Sequence, residues 1–93
     1  MFEFDLSDKF RKTLIKLSKK DPIIARAINR KIKEIINRSE EEIHIYKNLM
    51  HGLKNLKRVH ITEWLIMTFE VDLENKIILF TNIASRDDVY KRK

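Results

Sequence analysis

The hydrophobic pattern of this chain changes its period once, and that change restricts the folds that the chain can adopt. Between residues 8 and 38 apolar side chains recur every three or four positions, which is typical of amphipathic helices. Between residues 56 and 83 they alternate with polar residues or form short apolar runs, which is typical of β-strands. A purely helical fold is therefore disfavoured, and we expect helices packed against a sheet.

Two helix starts are marked by capping residues. Ser7 is well placed to cap a helix that begins with Asp8, because a serine oxygen accepts a hydrogen bond from the first turn. Asp21 followed by Pro22 is a second start signal, since proline suits the first helical position. A tight turn between the two helices predicts an αα-hairpin. The apolar stripes of the helices are Phe10, Leu14 and Leu17, and then Ile24, Ala27, Ile28, Ile32 and Ile35.

Four further segments predict strands. Residues 2–6 alternate before the first helix, and residues 56–61 and 65–71 alternate on either side of a short turn. Residues 77–83 are strongly apolar, which favours a central strand covered on both sides. The predicted class is α+β: an N-terminal strand, an αα-hairpin, and then antiparallel strands forming a small sheet with the helices on one face.

Two further segments contain residues that are typical of turns or helix caps. Residues 40–42 either extend the second helix or form an acidic connection, and residues 43–54 are irregular and contain Gly52, the single glycine. The stretch from Ser85 to Asp88 fits a capping box, which predicts a final short turn or helix.

The composition predicts one soluble, intracellular domain. Ninety-three residues suffice for a single domain and are too few for two, so residues 1–93 are expected to form one unit. No cysteine is present, which excludes disulfides and cysteine-based zinc sites and favours a cytoplasmic location. No apolar run reaches membrane-spanning length, and the first residues lack the basic and apolar regions of a secretory signal.

The net charge of +6 and the pI near 9.7 indicate a partner of opposite charge. RNA, DNA, an anionic membrane and an acidic protein all fit, because basic domains attract polyanions whatever their fold. Solvation of helix surfaces by Lys and Arg explains the same charge equally well. Charge alone therefore does not select a function.

Side-chain alternation predicts a basic group on the face of the sheet that points away from the helices. One face of the third predicted strand is apolar throughout and must point at the helices. In the second predicted strand Val59 and Ile61 match that face, so Arg58 and His60 project from the other side. The apolar face of the third strand consists of Leu65, Met67, Phe69 and Val71, and its other face of Trp64, Ile66, Thr68 and Glu70.

A candidate site follows if the C-terminal segment returns to the same face. A helical turn after Ser85 would present Arg86 and Tyr90 together, because they are four residues apart. Arginines can bind a phosphate, a histidine can move a proton near neutral pH, and a tyrosine can stack on a base. These groups are typical of a metal-free ribonuclease site. The candidate residues are Arg58, His60, Arg86 and Tyr90, joined by Glu63, His51 or Lys54.

Each candidate also has a structural interpretation. A strand histidine such as His60 is more often structural than catalytic, and Arg86 with its acidic neighbours fits a salt-bridge cluster at a helix end. Tyr90 fits packing at the sheet edge, and Trp64 fits either a covering aromatic or a surface for base stacking. The three histidines lack a recognised ligand spacing, so no metal and no other cofactor are expected.

Three stretches, taken in order, resemble the RelE/ParE superfamily of toxins from toxin–antitoxin systems. They are YKNLMHGLKNLKRVHI at residues 46–61, the strand ending FEVD at residues 69–72, and the ending IASRDDVYK at residues 83–91. The preceding strand and αα-hairpin also match that fold, so the resemblance covers nearly the whole chain.

The resemblance implies a toxin that enters the ribosomal A site and cleaves mRNA, with the substrate's own 2′-hydroxyl attacking the adjacent phosphate. By position, Arg86 is similar to the family's catalytic arginine and Tyr90 to its C-terminal tyrosine. Arg58 and His60 stand at two positions that are basic in RelE, and a histidine at the latter is similar to the YafQ-like subgroup, where it serves acid–base chemistry. The residues assigned to RNA binding are Lys54, Lys57 and His51.

The resemblance also implies partners and two departures. The partners are a cognate antitoxin in a toxin–antitoxin hetero-oligomer, mRNA and the ribosomal A site. Ile66 and Met50 stand where many RelE members carry an arginine. The loss of two cations would weaken the stabilisation of the transition state, since one such contact is worth a few kcal/mol.

Two other functions remain open from the sequence. A ParE-like or catalytically inactive member would bind a protein target such as DNA gyrase. ParE proteins typically lack the basic and proton-transfer cluster, so His60 with Arg58 and Tyr90 favours the ribonuclease. An RNA-binding module without turnover is the third interpretation.

Overall fold

The order of elements follows the prediction from the sequence. The structure is a computed structural model, and it describes residues 1–48 and 56–90 of the chain, with side chains up to Asp88. No helix in these ranges combines the length and the apolar character needed to cross a membrane. The strands are β1 (Glu3–Leu6), β2 (Leu56–His60), β3 (Leu65–Asp72) and β4 (Ile77–Ser85), and the helices are α1 (Asp8–Lys20), α2 (Pro22–Ile36) and α3 (Arg86–Tyr90).

The four strands form one sheet in the order β1, β4, β3, β2. β4 lies in the interior of the sheet, parallel to β1 on one side and antiparallel to β3 on the other. β2 and β3 form an antiparallel hairpin. The α+β class, with the helices on one face of the sheet, and the central position of the apolar strand are therefore confirmed.

The helices begin where the capping residues predict. Ser7 Oγ accepts a hydrogen bond from the amide of Phe10 at 3.0 Å, and the same hydroxyl donates to the carbonyl of Thr81 at 2.8 Å. Asp21 ends α1 and caps α2, because its amide donates to Leu17 O at 2.7 Å while its carboxylate accepts from the amide of Ile24 at 3.2 Å. One residue therefore makes the turn of the αα-hairpin.

The core lies between the helices and one face of the sheet. Phe10, Phe69 and Phe80 are completely buried there, and the ring of Phe80 lies 5.9 Å from that of Phe10 and 5.7 Å from that of Phe69. The predicted stripe of α2 is shifted at one position, since Ala25 is 5% exposed whereas Ala27 is only partly buried. Burial of such side chains contributes roughly 1.5–3 kcal/mol each, so this layer dominates the stability of the fold.

β4 contains a β-bulge between its two apolar stretches. Thr68 lies opposite Asn82 and Phe69 lies opposite Phe80, so Thr81 is an extra residue in β4. The bulge places Phe80 and Ile83, which are three positions apart, on the same buried side. A regular strand would have turned one of them away from the core.

The connection after α2 is more ordered than the irregular segment predicted from the sequence. Ser39 and Glu42 cap each other reciprocally, with both amide-to-side-chain distances at 3.1 Å. A short 3-10 helix over Glu42–Ile45 follows, and Ile43 in it is completely buried. The burial of this single isoleucine anchors the connection to the core.

A polar network joins the end of α2 to Tyr46. The Tyr46 hydroxyl donates a hydrogen bond to Glu34, and Arg38 Nε donates to the same hydroxyl at 3.2 Å. Lys31 and Arg38 form ion pairs with Glu34 at 3.0 and 3.4 Å. The bond from Tyr46, followed by the cations, lowers the pKa of Glu34, and burial raises the pKa of Tyr46. Near neutral pH Glu34 is therefore ionised while Tyr46 keeps its proton.

We predict that Ser7→Ala lowers the free energy of unfolding by about 1–2 kcal/mol, because it removes a helix cap and a bond to the central strand together. Urea unfolding measures the change as a lower midpoint at constant slope. Ser18→Ala is the control: its hydroxyl donates to the carbonyl of Leu14 at 2.9 Å within α1, and alanine suits a helix better. Equal losses in both variants would contradict the double role of Ser7.

We also predict that Glu34→Gln weakens the acid dependence of stability. Because the pKa of Glu34 is lowered in the folded state, its stabilisation is fully present above the ordinary value of 4.5 and is lost as the pH falls through the folded-state pKa. The gap in urea midpoint between wild type and Glu34→Gln should close on acidification. Glu41→Gln, at an exposed position, is the control for the removal of one negative charge.

Candidate active site on the sheet

The register of β2, β3 and β4 places the predicted residues in two rows on the face that points away from the helices. Val59 packs towards the core, so its neighbours Arg58 and His60 lie on this opposite face, as the alternation predicts. His60 is exposed, and Arg58 is partly buried. Across the three strands the rows are His60–Ile66–Ala84 and Arg58–Thr68–Asn82.

This face is not uniformly open. Ile66 is completely buried and Thr68 is 5% exposed, although both point away from the main core. The hydroxyls of Thr68 and Thr81 share a hydrogen bond of 2.8 Å. Ile66 stands where the resemblance implies an arginine, so an apolar side chain lies between His60 and Ala84 on this face.

The hairpin tip between β2 and β3 is held by its own hydrogen bonds. The amide of Ile61 donates to Leu65 O at 2.8 Å. Thr62 Oγ1 accepts bonds from the amides of Trp64 and Leu65 at 3.2 and 3.1 Å. A hydroxyl that satisfies two amides in this way stabilises the turn, so the position of Trp64 is well defined.

Arg86 is anchored to this tip. Its amide donates to Trp64 O at 2.7 Å, and Ser85 Oγ caps α3 by accepting from the amide of Asp88 at 3.2 Å. The guanidinium carbon of Arg86 lies 5.0 Å from the centroid of the Trp64 ring, within range of a cation–π interaction, and Trp64 is 58% exposed.

Among the side chains described up to Asp88, Arg86 does not form the salt-bridge cluster that the alternative interpretation predicts. In the part of the chain that the structure describes, none of the ion pairs includes Arg86. Its pairing with Trp64 was missed from the sequence, but the antiparallel register of β3 and β4 contains the signal. Leu65 lies opposite Ser85, so the residues on either side of that pair must meet.

The remaining predicted residues are placed as follows. The backbone of Tyr90 ends α3, one helical turn after Arg86. His51 and Lys54, predicted to contact RNA, lie outside the described residues, as does Met50.

Lys57, the third residue predicted to bind RNA, lies apart from the site. It is 6% exposed and opposite Phe69, on the core side of β2. Its ammonium donates to Tyr46 O at 3.2 Å and to Asn48 Oδ1 at 3.1 Å, and burial lowers its pKa. A cation engaged in this way is not presented to a ligand in solution.

On the exposed face of the sheet, cationic side chains lie at one end of the strands and carboxylates lie at the other. Arg58, His60 and Arg86, with Trp64, form what we call the hairpin end. At the opposite end, near the turn between β3 and β4, the register brings carboxylates around Ile77 and Leu79, where a groove of about 630 Å³ opens. We call this the acidic end, and its carboxylates are Glu3, Asp5, Glu70 and Asp72.

Comparison with known proteins identifies relatives of the same fold. A protein of Methanocaldococcus jannaschii assigned as toxin RelE4 is 39% identical over 93 residues, which covers 100% of this chain and 95% of that protein. YafQ from E. coli strain BL21(DE3) superposes with a TM-score of 0.71 at 16% identity, covering 98% of this chain and 100% of YafQ. A chain of the intact E. coli RelBE toxin–antitoxin complex gives 0.69 at 13% identity, covering 90% and 95%. No family model matches the chain.

We predict that Arg86 and Trp64 stabilise the fold as a pair. A double-mutant cycle of Arg86→Ala and Trp64→Ala should give a coupling energy of about 0.5–1 kcal/mol, the size expected for an exposed cation–π contact. Urea unfolding followed by circular dichroism measures it without the indole signal. Arg26→Ala, on the exposed side of α2, should be additive with Trp64→Ala, and coupling of similar size there would remove the argument for a specific contact.

Proposed function

The chain belongs to the RelE family of toxins from toxin–antitoxin systems, and we propose on this premise that it is an endoribonuclease that cleaves mRNA on the ribosome. The reaction is attack of the substrate's own 2′-hydroxyl on the adjacent phosphate. A bond forms between O2′ and phosphorus, the bond from phosphorus to the 5′-oxygen breaks, and the leaving 5′-oxygen takes up a proton from a general acid or from water. The products are a 2′,3′-cyclic phosphate and a 5′-hydroxyl.

The proposal is supported by one observation, the strand register, which gives Arg58 and His60 the same face of β2 and brings Arg86 to the hairpin tip beside Trp64. His60 accepts the proton of the attacking 2′-hydroxyl, since histidine exchanges protons near neutral pH. Arg58 and Arg86 bind the phosphate and stabilise the negative charge that develops on it. Tyr90 follows Arg86 by one helical turn and serves in stacking or proton handling. This chemistry uses groups of the protein and the substrate, without a metal.

Trp64 adds a contact surface for the nucleotide beside the phosphate. Its ring is exposed over most of its area and one arginine already lies against it. Exposed aromatic rings next to guanidinium groups stack on unpaired bases in proteins that bind single-stranded RNA. The pair therefore fits a nucleotide whose base stacks and whose phosphate lies near Arg86.

The separation of cations from carboxylates on this face supports a path for the RNA. Phosphates are attracted to the hairpin end and repelled by the acidic end, where Glu70 and Asp72 are exposed. Neighbouring strands lie about 4.8 Å apart. His60 and Ala84 are in the same row but two strands apart, so about 10 Å separates them, which is enough for one nucleotide. We expect the RNA to cross the hairpin end rather than run along the strands.

The partners follow from the same premise. The RelBE structure is a toxin–antitoxin complex, and we propose a cognate antitoxin that covers the basic surface of this chain in a hetero-oligomer. The toxin would act in the cytoplasm, where mRNA and ribosomes are found.

One observation favours a second candidate function. Ile66 is buried and apolar at a position where the resemblance implies an arginine, which removes one cation from the transition state. A member with too few cations would bind a target such as DNA gyrase, or bind RNA without turnover.

We predict that His60→Ala and Arg86→Ala abolish most mRNA cleavage. Loss of a general base costs about 10²- to 10⁴-fold, and loss of a charge-stabilising donor costs about 10²- to 10³-fold. Primer extension on transcripts recovered after induction, or from purified ribosomes, maps the cuts.

The matched controls are His44→Ala and Arg26→Ala, whose side chains are exposed away from the site and should leave the cut sites unchanged. Intact transcripts with wild-type protein, together with arrested supercoiling, would instead identify the gyrase-binding function. Cleavage that survives in both site variants would refute the assigned roles.

A further inference from the structure

The sheet continues beyond β2 through a short segment, residues 46–48. Asn48 and Lys57 form an isolated antiparallel bridge, and the amide of Arg58 donates to Lys47 O at 2.9 Å. On its other side Arg58 lies opposite Thr68 of β3. The backbone that carries Arg58 is therefore held from both neighbouring strands.

The ammonium of Lys57 binds the same segment at both of its ends. It donates to the carbonyl of Tyr46 and to the side-chain oxygen of Asn48, at 3.2 and 3.1 Å. Side-chain alternation directs Lys57 to the opposite side of β2 from Arg58 and His60. A single side chain thus joins segment 46–48 to the strand that carries two proposed site residues.

Global stability does not account for a lysine at this position. Burying an ammonium costs free energy, and two neutral oxygens return only part of it. Among the described residues no ion pair includes Lys57, and the partners of its ammonium there are the two neutral oxygens. An unbranched apolar side chain would fill the same space beside Phe69 without the desolvation cost.

The segment that Lys57 binds is itself fixed to the helical layer. The Tyr46 hydroxyl is held by Glu34 of α2 and by Arg38, two residues after the helix ends. The Tyr46 ring lies edge-on to Phe69 at 5.6 Å. The carbonyl of Tyr46 is therefore a rigid acceptor. Through it, Lys57 connects the end of α2 to β2.

We propose that Lys57 is a positioning residue: its buried ammonium fixes β2 against segment 46–48 and so holds Arg58 and His60 in the geometry needed for cleavage. The role rests on the proposed nuclease function. Lys57 acts through Arg58 and His60 and does not touch the substrate. A misplacement of a reacting group by about 1 Å can reduce a rate by about 10²-fold, so a modest shift of β2 has a large effect.

The test compares Lys57→Met, which keeps the length of the side chain and removes its charge, with Lys16→Met on the exposed surface of α1. Single-turnover and steady-state cleavage of ribosome-bound mRNA should show kcat reduced by about tenfold or more in Lys57→Met, with KM within about twofold of wild type. Lys16→Met should match wild type. Asn48→Ala should lower kcat on its own and add little to Lys57→Met, because both remove the same contact.

Amide hydrogen exchange gives a second readout that does not require activity. The Arg58 amide should exchange about tenfold faster in Lys57→Met, whereas the Ser7 amide, bonded to Phe80 O at 2.9 Å, should be unchanged. Unchanged Arg58 exchange overturns the proposal whatever the activity. Faster exchange with unchanged kcat shows a purely structural lysine and also overturns it. If wild type cleaves nothing, the nuclease function itself fails, and the exchange result then describes only the packing of β2.

Discussion

The pairing of β4 with a neighbour on each side determines most of this structure. β1 and β3 have no direct contact in the sheet, and β4 holds them together. Its bulge at Thr81 allows Phe80 and Ile83 to enter the core from one strand. Its end at Ser85 delivers α3 to the hairpin tip. Without β4 the helical layer would have no sheet to cover, and Arg86 would not reach Trp64.

The two faces of β2 have different surroundings. Alternation directs Arg58 and His60 to the face that points away from the helices, and it directs Lys57 and Val59 towards the helices. The sequence pattern predicts this division for Val59, because an apolar residue in a half-buried strand has one destination. Alternation also gives the side on which Lys57 lies, but it does not predict the burial of that ammonium, which depends on oxygen acceptors that come from residues 46 and 48. A lysine in a basic protein is assigned to the surface by any rule based on composition.

Periodicity and capping predicted the elements because they are local properties. Ser7, Asp21 and Pro22 mark helix starts through bonds within one turn, and they lie where expected. The bulge at Thr81 and the buried Ile43 were not predictable in the same way, since each depends on partners far along the chain. In the candidate site, the face of Arg58 and His60 followed from alternation alone. The contact of Arg86 with Trp64 required the strand register, and the roles of all these side chains remain predictions.

The bond from Ser7 to Thr81 joins residues that are 74 positions apart, and the parallel pairing of β1 with β4 has a similar span. Contacts of this separation form late, because a long loop must close before any of them stabilises the chain. During synthesis, β1 emerges from the ribosome well before its partner strand exists. Until β4 is translated, the nascent polypeptide cannot complete its sheet, so the helical layer stays without its full partner surface until residue 85 has been added.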